Sequence, residues 1–238
     1  PPGSIERKIL SILHSSTKTH AYSSSNQLEF ELKLRKNIIN ASVNLFRSNM
    51  AFRTFRDSFC NPQYWYRTQE GGFLLKSGVK PSDAVRDIFL NGSMYGTECA
   101  TAIVIVYYGA LLNTLPERLF NELFEGIYLM DWKFLDSDLG IKTYPNPGVY
   151  LPGDCRYFRN PEVNPLTPEW QGENAIDLGN GTYYGHGIGI KTAGEIIEAL
   201  NRNRISGAQQ SAYLMDSVTL LDFKSLSEKY YNEMNMNN

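Results

Sequence analysis

The sequence predicts one mixed domain of helices and antiparallel strands, with the helices concentrated ahead of a β-rich second half. Three observations carry that expectation. The chain has 238 residues, 42% of them hydrophobic, enough for a single globular core. An apolar run of helical length, YGTECATAIVIVYYGALL, spans residues 95–112. The stretches ENAIDLG and TYYGHGIGI flank Gly179-Asn180-Gly181, a strong hairpin signal.

Residues 1–26 end in STKTHAYSSSN, which is polar and low in complexity, and read as a loose arm. In QLEFELKLRKNIINASVNLFRS, Leu28, Leu32, Ile38, Ile39, Ala41 and Leu45 predict an amphipathic helix capped by Ser25 or Asn26, although Phe30, Leu32 and Leu34 alternate as in a strand. The following stretch, AFRTFRDSFCNPQYWYRTQEGGFLLK, is aromatic-rich and is broken by Pro62 and Gly71-Gly72. Pro81 sits where a first helical position would be, so PSDAVRDIFL reads as a short helix. Ile103 to Val106 are strand-loving residues, but the run is too long for a usual strand and Thr97 can cap a buried helix. ERLFNELFEGIYLMDW predicts a short helix leading into a strand.

Six prolines between Pro145 and Pro168 make that region an extended, irregular connection, with DCRYF (154–158) as a strand within it. GEIIEALNRNR reads as a helix, SAYLMDSVTLLDFKSL closes the domain, and residues 229–238 read as a polar tail. No repeat and no linker divides the chain.

A formal net charge of -2 excludes a strongly basic nucleic-acid surface, and Arg202-Asn203-Arg204 is only a short helix end. No stretch reaches the roughly 18 apolar residues of a membrane span. The opening PPGSIERKIL lacks the layout of a signal peptide, so the expectation is a soluble protein made in the cytosol. Three cysteines give neither a disulfide framework nor a CxxC pair. Without HxxxH or an EF-hand-like acidic run, neither metal nor cofactor is expected.

Chemistry points to Cys99. In the first turn of a helix its thiolate gains from unpaired N–H groups and the helix dipole, and those N–H groups could hold an oxyanion. The bland alternative is a buried, inert cysteine packed as a small hydrophobe. A cysteine nucleophile needs a base. Of three histidines, His14 and His20 lie in the arm, which leaves His186, on a strand between glycines. Glu173 lies thirteen residues earlier, where a hairpin would bring it alongside. Cys155 and Cys60 have no comparable setting and read as structural.

The blocks YGTECATAIVIVYY, LMDWKF, PGDCRYFRNPE, EWQGENAIDLG, YGHGIGI and SGAQQSAYL, met in that order between Gln27 and Leu226, resemble the spore-coat protein-glutamine γ-glutamyltransferases (transglutaminases) of spore-forming bacteria. The arm and the tail lie outside the resemblance, and Gln171 stands where the family commonly has Arg. The resemblance implies an α+β fold with a single-domain NlpC/P60 (papain-like) core, the catalytic Cys at a helix N-terminus packed on an antiparallel sheet. It makes residues 27–228 the catalytic domain.

It further implies that Cys99 is the nucleophile, Glu173 the acid/base partner, Glu98 a second carboxylate and His186 a supporting residue whose charge, if protonated, offsets the carboxylates. Phe52, Trp132 and Trp170 become the walls of an apolar tunnel that shields a thioester from water. The implied reaction joins protein Gln to Lys side chains as ε-(γ-glutamyl)lysine isopeptide crosslinks, without calcium. Spore coat proteins are the implied partners and the spore coat the implied location. The alternative is an NlpC/P60-like thiol amidase or peptidase using Cys99 and His186.

Overall fold

The computed structural model describes residues 3–236. Helices α1 (Ile5–Ser15) and α2 (Ser25–Arg47) are followed by β1 (Ala51–Phe52), β2 (Trp65–Arg67), β3 (Phe73–Leu75), α3 (Pro81–Leu90) and β4 (Gly96–Thr97). Next come α4 (Cys99–Leu112), α5 (Glu117–Leu123), β5 (Tyr128–Leu129) and β6 (Lys142–Pro145). The chain continues through β7 (Cys155–Arg159), β8 (Gly172–Asp177), β9 (Thr182–Gly185), β10 (Gly189–Thr192) and α6 (Ala193–Asn201), and closes with β11 (Tyr213–Leu214), β12 (Ser217–Leu220) and α7 (Phe223–Met236).

The main sheet has the order β10-β9-β8-β7-β12-β6, with β11 also on β7, and every pairing in it is antiparallel. Pro145 falls on its edge strand, where a missing N–H costs no ladder bond. Two small sheets, β2-β3-β5 and the parallel pair β1-β4, complete an α+β fold.

Helix α4 is the centre of the molecule and packs against α2, α3 and β8. All residues from Ala100 to Leu111 are buried, so the helix is apolar on every side. Its β-branched residues prefer strands, but burial on all faces outweighs that preference. Gly109 permits this packing, because a Cβ there would meet the Phe89 ring at 2.3 Å. From α2, Phe30, Leu34, Ile38, Ala41 and Leu45 recur at helical spacing and face the core. The cap of α2 is Ser24, one residue before the expected pair, and it accepts from the N–H of Gln27. Buried Arg35 donates to Glu31 at 2.8 Å and to Asp154 at 2.7 Å, tying α2 to the turn that launches β7.

Both chain ends differ from the sequence reading. Within the expected loose arm, Ser4 caps α1 and Ile9 is buried. The Lys8 ammonium donates to the carbonyl of Gly179, fixing α1 to the turn between β8 and β9. The apolar face of α1 is only a few residues long, and the Ser/Thr-rich stretch behind it masks it in the sequence. The expected polar tail is helical to Met236, because Tyr230 and Tyr231 pack on the core and Tyr230 lies 5.5 Å from Phe30 between ring centroids. Pro1, Pro2, Asn237 and Asn238, at the far ends of the arm and the tail, lie outside the described residues. Among the described residues no helix is long and apolar enough to cross a membrane.

Candidate active site

Cys99 is the first residue of α4. The helix is capped by Glu98 rather than Thr97, because Thr97 belongs to β4 and pairs with Phe52. The Glu98 carboxylate accepts from the N–H groups of Ala100 and Thr101, each at 2.6 Å. Two of the N–H groups expected to serve an oxyanion are therefore already taken. Burial raises the Glu98 carboxyl above its ordinary range, against those hydrogen bonds.

Glu173 stands on β8, in the interior of the main sheet. The residue is 3% exposed and its buried Oε1 has no hydrogen-bond partner. Burial, and then the nearby Glu98 carboxylate, push it well above the ordinary carboxylate range. The Cys99 thiol is likewise pushed well up, by burial and then by Glu173 and Glu98. A thiol and a carboxyl that oppose each other's charge titrate as a unit rather than independently. Gly185, opposite Ala175 in the neighbouring strand, makes room for this carboxyl. A Cβ at Gly185 would lie 2.9 Å from Cγ of Glu173 and 3.1 Å from Oε1.

His186 occupies the turn between β9 and β10, not a strand as the sequence suggested. The two flanking glycines explain the difference, since Gly187 has φ +97 and turns the chain against the Phe52 ring. Nε2 of His186 donates to the carbonyl of Ala51 at 3.1 Å, so Nδ1 is the acceptor for the Tyr184 hydroxyl at 3.1 Å. Burial lowers its pKa to about 4. The ring is thus neutral at pH 7 and clamps β1 to the turn. It does not supply the positive charge expected to offset the carboxylates.

A cavity of about 900 Å³ opens over Cys99, with Phe52, Trp132, Tyr157, Asn174 and Glu98 among its walls. Gln171 lines it too. Trp170 is not among the lining residues; its ring packs on Phe52, with centroids 5.9 Å apart. Asn174 went unremarked in the sequence, yet its Nδ2 lies 3.9 Å from the Cys99 Sγ. A neutral side chain beside Glu173 gives no sequence signal of its own. Cys155 also reaches the cavity wall, with burial raising its pKa to about 12.

A sequence profile of the family described as "Protein-glutamine gamma-glutamyltransferase" matches residues 1–231. The chain belongs to that family. Membership extends through α1 and into α7, beyond the span from Gln27 to Leu226 that the motifs had marked. Among the transglutaminases it resembles, the protein-glutamine γ-glutamyltransferase of Bacillus mycoides (strain KBAB4) is 49% identical over 223 residues, covering 94% of this chain and 80% of the relative. That of Bacillus cereus (strain 03BB102) is 50% identical over 222 residues, covering 93% and 80%. A solved structure, "Transglutaminase from Geobacillus stearothermophilus (without C-terminal extension)", superimposes with a TM-score of 0.83 at 52% identity, covering 87% of this chain and 98% of the other. The chain is accordingly an acyltransferase that acts on proteins presenting Gln and Lys side chains.

Proposed function

We propose that Cys99 is the nucleophile and Glu173 the group that carries the proton. The Cys99 sulfur attacks the side-chain carboxamide of a protein glutamine while Glu173 holds the thiol proton. Glu173 then gives that proton to the departing ammonia, leaving a γ-glutamyl thioester. A lysine ε-amine opens the thioester, its proton returning through Glu173 to the sulfur, and an isopeptide bond results. The observation that carries this reading is the buried, unpartnered Oε1 of Glu173 beside a thiol whose charge it perturbs. Glu98 caps α4 and serves as a secondary carboxylate, while His186 supports the site from the turn.

The test is incorporation of a labelled primary amine into casein, with the isopeptide product identified by mass. The runner-up, a Cys99–His186 amidase, expects ammonia release without incorporation. The occupied nitrogens of His186 speak against it. Among the described residues no group of three or more His, Cys, Asp or Glu could hold a metal ion. Incorporation is expected to survive EDTA and to gain nothing from calcium, and calcium-dependent turnover would overturn that expectation.

Phe52, Trp132 and Trp170 form the apolar shield of the thioester in this reading, Trp170 by backing Phe52. Trp170→Ala should then raise the ratio of glutamine deamidation to amine incorporation as water gains access. An equal fall in both would reduce Trp170 to a support of the fold. The cysteine at a helix start, packed on an antiparallel sheet, supports kinship with the NlpC/P60 (papain-like) core. The Bacillus relatives support spore coat proteins as substrates and the spore coat as the location.

A further inference from the structure

Of the first four N–H groups of α4, those of Ala100 and Thr101 are bound by the Glu98 carboxylate and that of Ala102 by the Glu98 carbonyl. The N–H of Cys99 is the one left over. Attack on a carboxamide nonetheless forces a full negative charge onto the former carbonyl oxygen, and preorganised donors there are usually the largest contribution to such catalysis. A single leftover N–H is a poor answer to that demand. The missing donor must approach the sulfur from another element, because the helix itself has no more to give.

Asn174 meets the requirement. It stands on β8 immediately after Glu173, lines the cavity and brings Nδ2 to 3.9 Å from Sγ. Its own backbone is held by the pairing of Asn174 with Tyr157 in β7, so the amide is presented from a rigid sheet. The amide makes no other hydrogen bond among the described residues. The Nδ2 contact points a donor at the reacting centre, and the side chain and backbone N–H of Asn174 both favour the charged form of the sulfur.

We propose that Asn174 is a catalytic residue, whose side-chain amide and the backbone N–H of Cys99 together hold the oxyanion of the tetrahedral intermediate. The inference rests on the reading of Cys99 as nucleophile and Glu173 as proton carrier. As the Sγ pair forms the bond to the carboxamide carbon, the C=O π pair moves onto oxygen, where Nδ2–H of Asn174 donates to it. Collapse reforms the carbonyl and breaks the C–N bond, and ammonia departs with the proton that Glu173 took from the thiol. The same donors serve again when the lysine amine attacks the thioester. Glu98 and Asn174 thus divide the work: one secures the helix start, the other replaces the donors that this capping consumes.

The experiment compares wild type with Asn174→Ala in two assays. Ammonia release from a glutamine peptide reports acylation, and iodoacetamide alkylation of the native protein reports thiol reactivity without any oxyanion. The variant should lose about 10²- to 10³-fold in kcat for ammonia release. Its KM for the glutamine peptide should stay close to wild type, and alkylation should fall far less than ammonia release. Asn174 faces the cavity and is half-buried, so the change opens no hole in the core. Asn174→Leu, which fills similar space without a donor, should behave alike and keeps the test alive if the alanine variant is unstable. Alkylation and ammonia release falling by the same factor, or ammonia release unchanged, would overturn the proposal. Ammonia leaves before amine and water compete, so a wild type that hydrolyses without incorporating amine sinks the transferase reading and leaves the role of Asn174 standing.

Discussion

Glu173→Gln should lower amine incorporation by about 10²- to 10⁴-fold, the usual loss on removing a positioned proton carrier, and should raise the melting temperature as it does so. The two effects share one cause. The carboxyl is buried with Oε1 unpaired, and burial followed by the charge of Glu98 raises its pKa well above the ordinary 4.5. Between 4.5 and that raised value the folded chain keeps a proton that the unfolded chain has released, so stability falls as pH rises through the window. Glutamine has nearly the same shape and no proton to lose. The stabilisation by Glu173→Gln is therefore absent below pH 4.5 and grows as pH rises through that window.

Glu98→Gln keeps one oxygen for the cap and should reduce turnover only in part, with the double variant worse than either. His186→Ala should lower activity and leave some, since the neutral ring only clamps β1 to the turn. A near-normal Glu173→Gln together with a dead His186→Ala would hand the reaction to a papain-style pair instead.

What the sequence disclosed follows from how local each signal was. The length of the apolar run outweighed its β-branched residues and gave α4, and Gly179-Asn180-Gly181 gave the β8–β9 hairpin because a turn is written in adjacent residues. The helix α1 is not legible in the sequence because what fixes it lies far away along the chain, at the Gly179 turn, which takes the Lys8 ammonium and lies against the Ile5 side chain. Placing His186 on a strand failed for a related reason: a glycine on either side can mark close approach or a turn, and Gly187 is needed for both. The Cys99 and Glu173 pair was visible through motif resemblance alone, since nothing in the spacing of residues 99 and 173 says that they meet. The capping role of Glu98 and the proximity of Asn174 to sulfur are products of three-dimensional arrangement. Neither residue type advertises them.

Cys99→Ala should abolish turnover entirely while leaving the fold intact. Alanine is a better helix former than cysteine, and the cap that starts α4 runs from Glu98 to Ala100 and Thr101 without involving the side chain at position 99. The sulfur faces a cavity, so its loss empties no core space. The raised Cys99 thiol is uncharged at neutral pH, so the melting temperature should hold there, with any gain confined to pH above the ordinary thiol value of 9.0. The serious competitor is Cys155, which reaches the same cavity wall. Burial holds its thiol near pKa 12, Asp154 and Glu173 add to that, and the side chain is almost wholly enclosed on β7. Cys60, raised to about 11, lies outside that cavity wall. All three thiols are raised, so position rather than thiolate content separates them. Cys155 is enclosed on its strand and Cys60 does not line the cavity, whereas Cys99 is only partly buried, lines the cavity and has the Asn174 amide at its sulfur. Native alkylation with iodoacetamide, read by mass, should therefore label wild type first at Cys99, and Cys99→Ala should stay unlabelled over the same interval. Residual amine incorporation by Cys99→Ala that disappears in the Cys99→Ala, Cys155→Ala double variant would move the nucleophile to β7, and the division of labour between Glu173 and Asn174 would have to be rebuilt around that sulfur.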